Sequence, residues 1–454
     1  MKKRLLRLAA LPLAAFLLAL PLSGCGGKDA SSAPASTASE EDKPVDLDGY
    51  TFVFGTAWID GWQFEPGASA LGDTINETFD KIQSDYNCTI ELKHYPDATL
   101  IYDQVTQDIL AGIKPCDILD IPLNIFNPLV QNKMLYRQNT IEGLDLQDEN
   151  FNRSVVDLGT FAGNVYGSWF GLSNNVAGLF FNQKLLDKEG QPNVYELFDK
   201  GEWTWDNFEA ICMAMTKDLN NDKVPDKYGL VGNQQIEKLC LFSNGGSIIK
   251  KDAGGVFGEG LTDPKSLAAV TYLRKLALTD KVISPEQDWQ KVAGVFADGD
   301  AAFLAYHVWA ARTWLGDAMD DDYGFIPFPK GPDAEDYILP YMDARLMVMP
   351  KSLENPTATG IIYSQLAKRL SKPWSDSMKQ DMLDAGMDER GVEMFELITE
   401  KSVADYSAGV PDLSIGETTL NAVTRAENQD PAAQFSSIKS MFDTMIQEYY
   451  GSIQ

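Results

Sequence analysis

The sequence predicts an α/β fold of two lobes, each built on a mostly parallel sheet that is flanked by helices. The chain has 454 residues, whereas one domain usually holds about 100–150 residues, so we expect more than one core. Between Thr51 and Ile121 strand-like and helix-like apolar patterns alternate, and this order requires parallel strands joined by right-handed crossovers. With 44% hydrophobic and 11% aromatic residues, the composition is that of a globular protein.

The N-terminal residues 1–24 have the pattern of an export signal. Four basic residues precede an apolar run from Leu8 to Leu20, which is too short for an ordinary membrane-spanning helix. The run ends in Leu22-Ser23-Gly24-Cys25, which resembles the bacterial lipobox, whose Cys is lipidated; an ordinary signal peptide with a Cys nearby is the alternative. Residues 25–46 are small, polar and acidic, as in a flexible tether. We therefore expect a protein that is lipid-anchored at Cys25 to the outside of the bacterial cell membrane.

The folded part opens with three strands and two helices. Strands are predicted at 51–55, 88–94 and 116–121, and apolar residues at helical spacing predict helices from Leu71 to Tyr86 and from Ile101 to Ile109. Further on, Thr204 is a predicted N-cap for the helical face that follows it. The glycine-rich segment 254–260 reads as a hairpin turn.

Ligands of parallel sheets bind at the carboxyl ends of the strands, which here are the segments 56–64 and 120–127. Both segments carry side chains suited to sugar contact. These are notably Trp58, Asp60, Trp62 and Asn124.

The strong negative charge excludes several classes of partner. The chain has 38 Lys and Arg against 66 Asp and Glu, for a net charge of −28. Such a surface repels phosphate backbones and anionic lipid, so nucleic acid is not an expected partner. A neutral ligand fits best, although one local basic patch would still admit an acidic ligand.

Apart from Cys25, four cysteines remain: Cys88, Cys116, Cys212 and Cys240. Export permits disulfides, and four cysteines allow three pairings. Each of the four lies in an apolar stretch, which favours buried free thiols over disulfides.

Enzymatic chemistry has few candidates in this sequence. The two histidines, His94 and His307, lie far apart and lack metal-ligand spacing. No phosphate-binding loop of the ATPase type occurs. A glycosidase needs only two carboxylates, and with 66 acidic residues the sequence leaves that possibility open.

One loop has the spacing of a calcium site. Oxygen donors recur at positions 1, 3, 5, 7 and 9 of an EF-hand-like pattern. They are Asp218, Asn220, Asp222, Val224 through its carbonyl, and Asp226. Position 6 is Lys223 rather than Gly, and position 12 is Gly229 rather than Glu. We expect a structural Ca²⁺ here and no catalytic cofactor; a solvated Asx-rich turn is the alternative.

Several segments, in the same order and spacing, resemble the family 1 extracellular solute-binding proteins, the maltose-binding-like group that serves ABC importers. Thr204-Trp-Asp-Asn-Phe208 resembles that family's "TWDEF", and Tyr323-Gly-Phe-Ile-Pro-Phe-Pro-Lys-Gly-Pro332 resembles its "YG-x-x-PLPKGP". The other matching segments are 166–172 with 178–186, 226–229, 244–246, 296–302 with Trp309, 349–351 and 355–356. Arg345 stands where the family commonly has an aromatic residue.

The resemblance implies a periplasmic-binding-protein-like fold with the ligand in a cleft between the lobes and hinge closure around it. Lobe 1 would comprise 47–174 plus 345–400, and lobe 2 would comprise 175–344 plus 401–454. The resemblance places a sugar-stacking ring at Trp309. The remaining candidate contacts are Trp169 and Phe170 beside the first crossover, Trp58 and Trp62, and the polar residues Asp60, Asp120, His307, Asp343 and Arg345.

The function that this resemblance implies is capture of a carbohydrate, an oligosaccharide in our interpretation, for delivery to the permease subunits of an ABC importer. We expect a monomer that is not an enzyme. The alternative is a surface-anchored carbohydrate-active enzyme, a hydrolase or lyase, which would share the export signal, the acidity and the aromatic residues. That alternative does not account for the ordered series of motifs.

Overall fold

The computed structural model describes residues 44–97, 100–173, 175–341, 344–408, 410 and 413–451. Those from Val45 onward form one compact unit. The predicted lipidation site Cys25 and the predicted contact Asp343 lie outside the described residues.

Fifteen strands are described. They are β1 (Tyr50–Thr56), β2 (Cys88–His94), β3 (Ile118–Pro122), β4 (Thr160–Phe161), β5 (Asn164–Val165), β6 (Gly167–Ser168), β7 (Ala177–Phe181), β8 (Tyr228–Gly232), β9 (Ile249–Lys251), β10 (Phe257–Glu259), β11 (Ala301–His307), β12 (Gly324–Ile326), β13 (Leu339–Tyr341), β14 (Arg345–Val348) and β15 (Ser402–Ala404).

Fifteen α-helices accompany the strands in the same part of the chain. They are α1 (Ala70–Tyr86), α2 (Ile101–Leu110), α3 (Leu123–Gln131), α4 (Arg153–Leu158), α5 (Gln183–Lys188), α6 (Val194–Asp199), α7 (Trp205–Met215), α8 (Gln235–Ser243), α9 (Pro264–Arg274), α10 (Val292–Ala297), α11 (Gly316–Ala318), α12 (Pro356–Asp384), α13 (Glu389–Lys401), α14 (Ser414–Arg425) and α15 (Pro431–Gly451). None of these helices is long and apolar enough to cross a membrane.

Two sheets organise the fold. The first has the strand order β2-β1-β3-β14-β6 and the second has the order β12-β7-β11-β8. In the first sheet β1 pairs in parallel with β2 and β3, whereas β14 runs antiparallel to β3 and β6. In the second sheet only β11 and β8 are parallel, and β7 is antiparallel to both of its neighbours. The α/β class is confirmed, and the sheets are mixed rather than mostly parallel because later segments of the chain return antiparallel to the opening strands.

The strand register brings the predicted sheet edge together. Thr56, at the carboxyl end of β1, lies opposite Asp120 of β3, and Asp120 lies opposite Met347 of β14. Helix α1 follows the β1 loop and is capped by Ser69, whose hydroxyl accepts a hydrogen bond from the Gly72 amide at 2.9 Å. This hydrogen bond satisfies one of the free amides of the helix's first turn. The loop after β1 is thereby fixed at its far end.

Helix α12 has 29 residues and contacts α1, β1, α13 and the helical turn at 311–315 that follows β11. Asn355 caps it by accepting from the Ala358 amide at 3.0 Å, and Pro356 occupies its first turn, where a missing N–H costs nothing. Helix α12 therefore contacts both a strand of the first sheet and the helical turn that follows β11 of the second sheet.

The C-terminal segment is attached to the second sheet through buried charges. Helix α14 packs against α8 and α9, and α15 packs against β10 and α14. On α8 the buried Lys238 ammonium lies 2.9 Å from the buried Asp405 carboxylate, and the buried Glu237 carboxylate lies 3.1 Å from Nε of Arg425. Because each buried charge has a partner, this attachment avoids a large desolvation cost.

The four cysteines Cys88, Cys116, Cys212 and Cys240 are buried and free, so the prediction of free thiols is confirmed. Burial raises the pKa of the Cys116 thiol to about 12, which keeps it protonated and unreactive at neutral pH.

Candidate ligand-binding site

A cavity of about 470 Å³ lies where segments attached to both sheets meet. The loop after β1 contributes Asp60 and Phe64, the segment after β11 contributes Trp309 and Arg312, and β14 contributes Arg345. The last turns of α12 close it with Trp374, Ser377, Met378, Asp381 and Met382. The volume is that of a small-molecule site, and polar and aromatic groups converge on it as they do in ligand pockets.

Arg345 is the centre of the polar wall. Its guanidinium makes a two-pronged ion pair with the fully buried Asp120, with Nε 2.9 Å from Oδ1 and the second nitrogen on Oδ2. The rings of Trp58 and Trp169 lie on it, with centroids 4.0 Å and 5.3 Å from the guanidinium carbon. Because planar guanidinium binds carboxylate and aromatic faces at once, these four side chains form one rigid cluster. We call it the Arg345 cluster.

Charges around the cavity are balanced within the protein. Arg345 is paired with Asp120, and Arg312 is paired with Asp381 at 3.0 Å. Among the described residues that line the cavity, Asp60 is the one charged side chain that makes no ion pair. The cavity therefore has no surplus positive charge to offer an anionic ligand.

Trp309 is held from behind by other aromatic rings. Its ring lies 4.7 Å from Trp314 and 5.5 Å from Tyr306, in edge-to-face contact with both. The residue is half-buried and lines the cavity. A ring that is fixed on one side and exposed on the other is the arrangement that stacks on the C–H face of a sugar.

His307, the last residue of β11, is buried and neutral. Burial lowers the pKa of its imidazole to about 4. Its Nδ1 lies 3.2 Å from the Asn175 carbonyl, which can only accept, so Nδ1 carries the proton and Nε2 accepts from the Gln235 amide at 2.8 Å. His307 therefore orients a carboxamide rather than acting as a charge.

The structure separates the predicted contacts into three groups. Asp60, Trp309 and Arg345 line the cavity, while Asp120, Trp58 and Trp169 belong to the Arg345 cluster. Trp62 and Phe170 are core residues, with 1% and 0% of their surface exposed. Trp62 makes an edge-to-face contact with Phe54 at 4.6 Å and stacks on Trp374 at 5.2 Å, and its burial leaves no ring face for a ligand. Asn124 lies in α3 instead of a loop.

Sequence reasoning missed the wall that α12 supplies. Trp374, Ser377, Met378, Asp381 and Met382 recur at helical spacing and so face the cavity together. That spacing was a usable signal, but Pro373 lies within the helix, and an internal proline argues against a helix. Tyr306, which supports Trp309, was also missed, since single aromatic residues carry no positional signal.

The predicted calcium loop has the turn chemistry of such a site. Asp218 accepts from the Asp222 and Lys223 amides at 3.2 Å and 2.8 Å, and Asp222 accepts from Val224 at 2.8 Å. Lys223 adopts the left-handed conformation with φ 75°, as the usual glycine at this position would. Across the described part of the chain, however, no three His, Cys, Asp or Glu side chains are gathered as a metal would require. The loop's backbone fits a Ca²⁺ site, while its carboxylates are engaged with backbone amides.

Two mixed sheets with a cavity between the segments that leave them define a ligand-binding protein of the two-lobed α/β class. The family model "Bacterial extracellular solute-binding protein" matches residues 68–368, which is more than half of the chain. The chain belongs to this family, and its place is outside the cytoplasm. A comparison with curated protein sequences finds no match.

Solved structures of low sequence identity share the fold. A cyclo/maltodextrin-binding protein complexed with maltotetraose aligns at 16% identity with a TM-score of 0.63, covering 89% of this chain and 97% of that one. The cyclic alpha-maltosyl-1,6-maltose binding protein from Arthrobacter globiformis aligns at 13% identity and 0.62, covering 88% and 99%. UgpB from Mycobacterium tuberculosis, in complex with glycerophosphocholine, aligns at 14% identity and 0.58, covering 88% and 98%.

Proposed function

We propose that this protein captures a carbohydrate outside the cytoplasm, closes its two lobes around it and delivers it to an ABC importer. The observation that carries the proposal is Trp309, a half-exposed ring fixed by Trp314 and Tyr306 on the wall of a cavity of about 470 Å³. A sugar offers C–H faces to such a ring and hydroxyls to the planar polar groups around it.

The solved structures of similar fold bind two kinds of ligand, and the charges that line the cavity favour one kind over the other. Two relatives bind maltodextrin-type sugars, and one was solved with glycerophosphocholine. A charged phosphodiester favours an unpaired cation in its site, but Arg312 and Arg345 are each paired with a carboxylate of the protein. A neutral sugar needs no such cation, so the balance of charges supports carbohydrate.

A thermal-shift screen tests the proposal. The full mature chain is heated with a library of neutral glycans, uronic acids, glycerophosphodiesters and tripeptides, because a ligand that binds only the folded state raises Tm by mass action. We expect neutral glycans to raise Tm and the phosphodiesters to have no effect. If only the phosphodiesters or peptides raise Tm, carbohydrate capture is wrong.

The enzyme alternative is separated by analysing the same samples for products. We propose that the protein binds without cleaving, since family membership and the fold of its neighbours favour a binding protein. Chromatography of glycans after prolonged incubation should recover them intact, and shortened glycans would support the hydrolase or lyase alternative.

Two further properties are proposed from the sequence. The lipobox-like Leu22-Ser23-Gly24-Cys25 supports a lipid anchor on Cys25, followed by a tether to a monomeric binding domain. The donor spacing from Asp218 to Asp226, together with the left-handed Lys223, supports a structural Ca²⁺ held by Asp218, Asn220, Asp222, the Val224 carbonyl and Asp226.

A further inference from the structure

A second cavity, of about 360 Å³, also has Trp309 in its wall. Trp309 lines both cavities, so the two share one wall. The lining of the second cavity is uncharged, in contrast to the first. It consists of aromatic rings, the neutral His307 and five carboxamide side chains, which are Asn233, Gln234, Gln235, Gln287 and Asn421.

Carboxamides suit this cavity to a polyhydroxylated ligand. Each carboxamide presents both a donor and an acceptor, as does each sugar hydroxyl. Gln235 donates to His307 through its amide, while its carbonyl oxygen is buried without a hydrogen-bond partner in the described part of the chain. An unsatisfied buried acceptor is costly, and a hydroxyl of a bound ligand would satisfy it.

Trp289 supplies the aromatic platform of this cavity. It follows β8 and α9 in a loop before α10, and 52% of its surface is exposed. Its ring lies 5.7 Å from Trp314, which also supports Trp309. Trp314 therefore supports both Trp309, which lines the first cavity, and Trp289, which lines the second. The exposed part of the Trp289 ring is open to solvent.

One wall of the second cavity comes from outside the matched family region. Asn421 belongs to α14, whereas the family match ends at residue 368. Helix α14 is fixed against α8 by the pair of Arg425 and Glu237, and α8 begins with Gln235. The C-terminal segment thus adds a side chain to a cavity that begins at Trp309.

Resting on the proposed function, we propose that the binding site continues past Trp309 into the second cavity, where Trp289 stacks on a second uncharged sugar unit. The ligand is then a neutral oligosaccharide of at least two units, with one unit in each cavity. Trp289 and Asn421 determine selection for chain length.

Calorimetry with defined sugars tests this inference. The probes are glucose, galactose, mannose and xylose, their α- and β-linked neutral di- and trisaccharides, and digalacturonic acid. We expect at least one neutral oligosaccharide to bind about tenfold or more tightly than its monosaccharide. Trp289→Ala should reduce that ratio by about tenfold, since stacking platforms of this kind dominate binding energy. Asn421→Ala should also reduce the ratio of oligosaccharide to monosaccharide affinity.

Met441→Ala is the matched control, because Met441 also exposes an apolar side chain, 49% of its surface, but lies on α15 away from both cavities. Circular dichroism and Tm establish that each variant folds. An unchanged ratio in folded Trp289→Ala and Asn421→Ala would overturn the second cavity's role while leaving carbohydrate capture intact, as would monosaccharides that bind as tightly as their oligomers. Preferential binding of digalacturonic acid would contradict the uncharged unit. Binding of none of these sugars would overturn the proposed function as well.

Discussion

At the scale of single residues, the position of a charge decides its energetic role. Asp120 and Arg345 pair in the interior, with 0% and 24% of their side chains exposed, whereas Arg312 and Asp381 pair at the surface, with 72% and 37% exposed. Solvent screens the attraction within the second pair. This weak attraction offsets little of the conformational entropy that is lost when the two side chains are held together. In the first pair, loss of one partner leaves the other without compensation.

This difference predicts a large loss of stability for one single substitution and a small change for another. Asp120→Ala leaves the Arg345 guanidinium without its carboxylate and should lower the free energy of unfolding by about 3 kcal/mol. Arg312→Ala should change it by less than about 1 kcal/mol. Urea denaturation followed by circular dichroism measures both. If Asp120→Ala lowers the free energy of unfolding as little as Arg312→Ala does, the Arg345 cluster does not stabilise the protein.

Single residues also show where sequence reasoning ends. Trp62 and Trp309 both follow a strand and both are aromatic, yet Trp62 is core and Trp309 lines a cavity. The difference is made by Trp374, which stacks on Trp62 from a helix far along the chain. A local sequence pattern contains no information about such a contact. The sequence therefore identified tryptophan as a candidate ligand contact, but it did not show which tryptophan rings would be exposed.

At the scale of elements, local chemistry predicted much of the fold. Strand β2 has the predicted bounds, and the glycine-rich segment 254–260 overlaps the turn of the β9–β10 hairpin, which spans 252–256, and then forms β10. Helix α7 begins after Thr204 as expected, although the Thr204 side chain makes no capping hydrogen bond. Most later elements had no sequence prediction, and two of these elements, α3 and α12, contain an internal proline. The antiparallel pairing of β14 with β3 depends on tertiary contacts that no local pattern contains.

The loop from Asp218 to Asp226 gives a prediction at this scale. If Ca²⁺ neutralises its carboxylates and joins its oxygens, EDTA should lower the Tm of the wild-type protein, because metal binding stabilises only the folded loop. Asp222→Ala should remove this sensitivity. Asp252→Ala is the control, since Asp252 also accepts backbone amides in an exposed turn but lies outside the pattern. Identical melting curves with and without EDTA would contradict the calcium site.

At the scale of the whole molecule, charge and anchoring act together. A net charge of −28 repels an anionic membrane surface, so the folded part alone has no electrostatic reason to stay there. Attachment would depend on the lipid at Cys25 and on the tether after it.

Replacing this residue tests the anchor. Cys25→Ala removes the thiol that would carry the proposed lipid, and we expect the protein to move from the membrane fraction to the soluble fraction when cells are fractionated. Cys88→Ala, which changes a buried thiol in β2, should stay with the membrane. Continued tight membrane association of the Cys25→Ala protein would contradict lipid anchoring there.

The account depends most on Trp309 as the ring that a captured sugar covers. Its direct test is calorimetric titration of wild-type, Trp309→Phe and Trp309→Ala proteins with the neutral glycan that raises Tm most. We expect Trp309→Ala to bind at least about thirtyfold more weakly, since loss of a desolvated stacking ring costs about 2 kcal/mol. Trp309→Phe, which keeps a ring, should retain most of the affinity. A folded Trp309→Ala protein that binds the glycan as tightly as wild type would contradict the account.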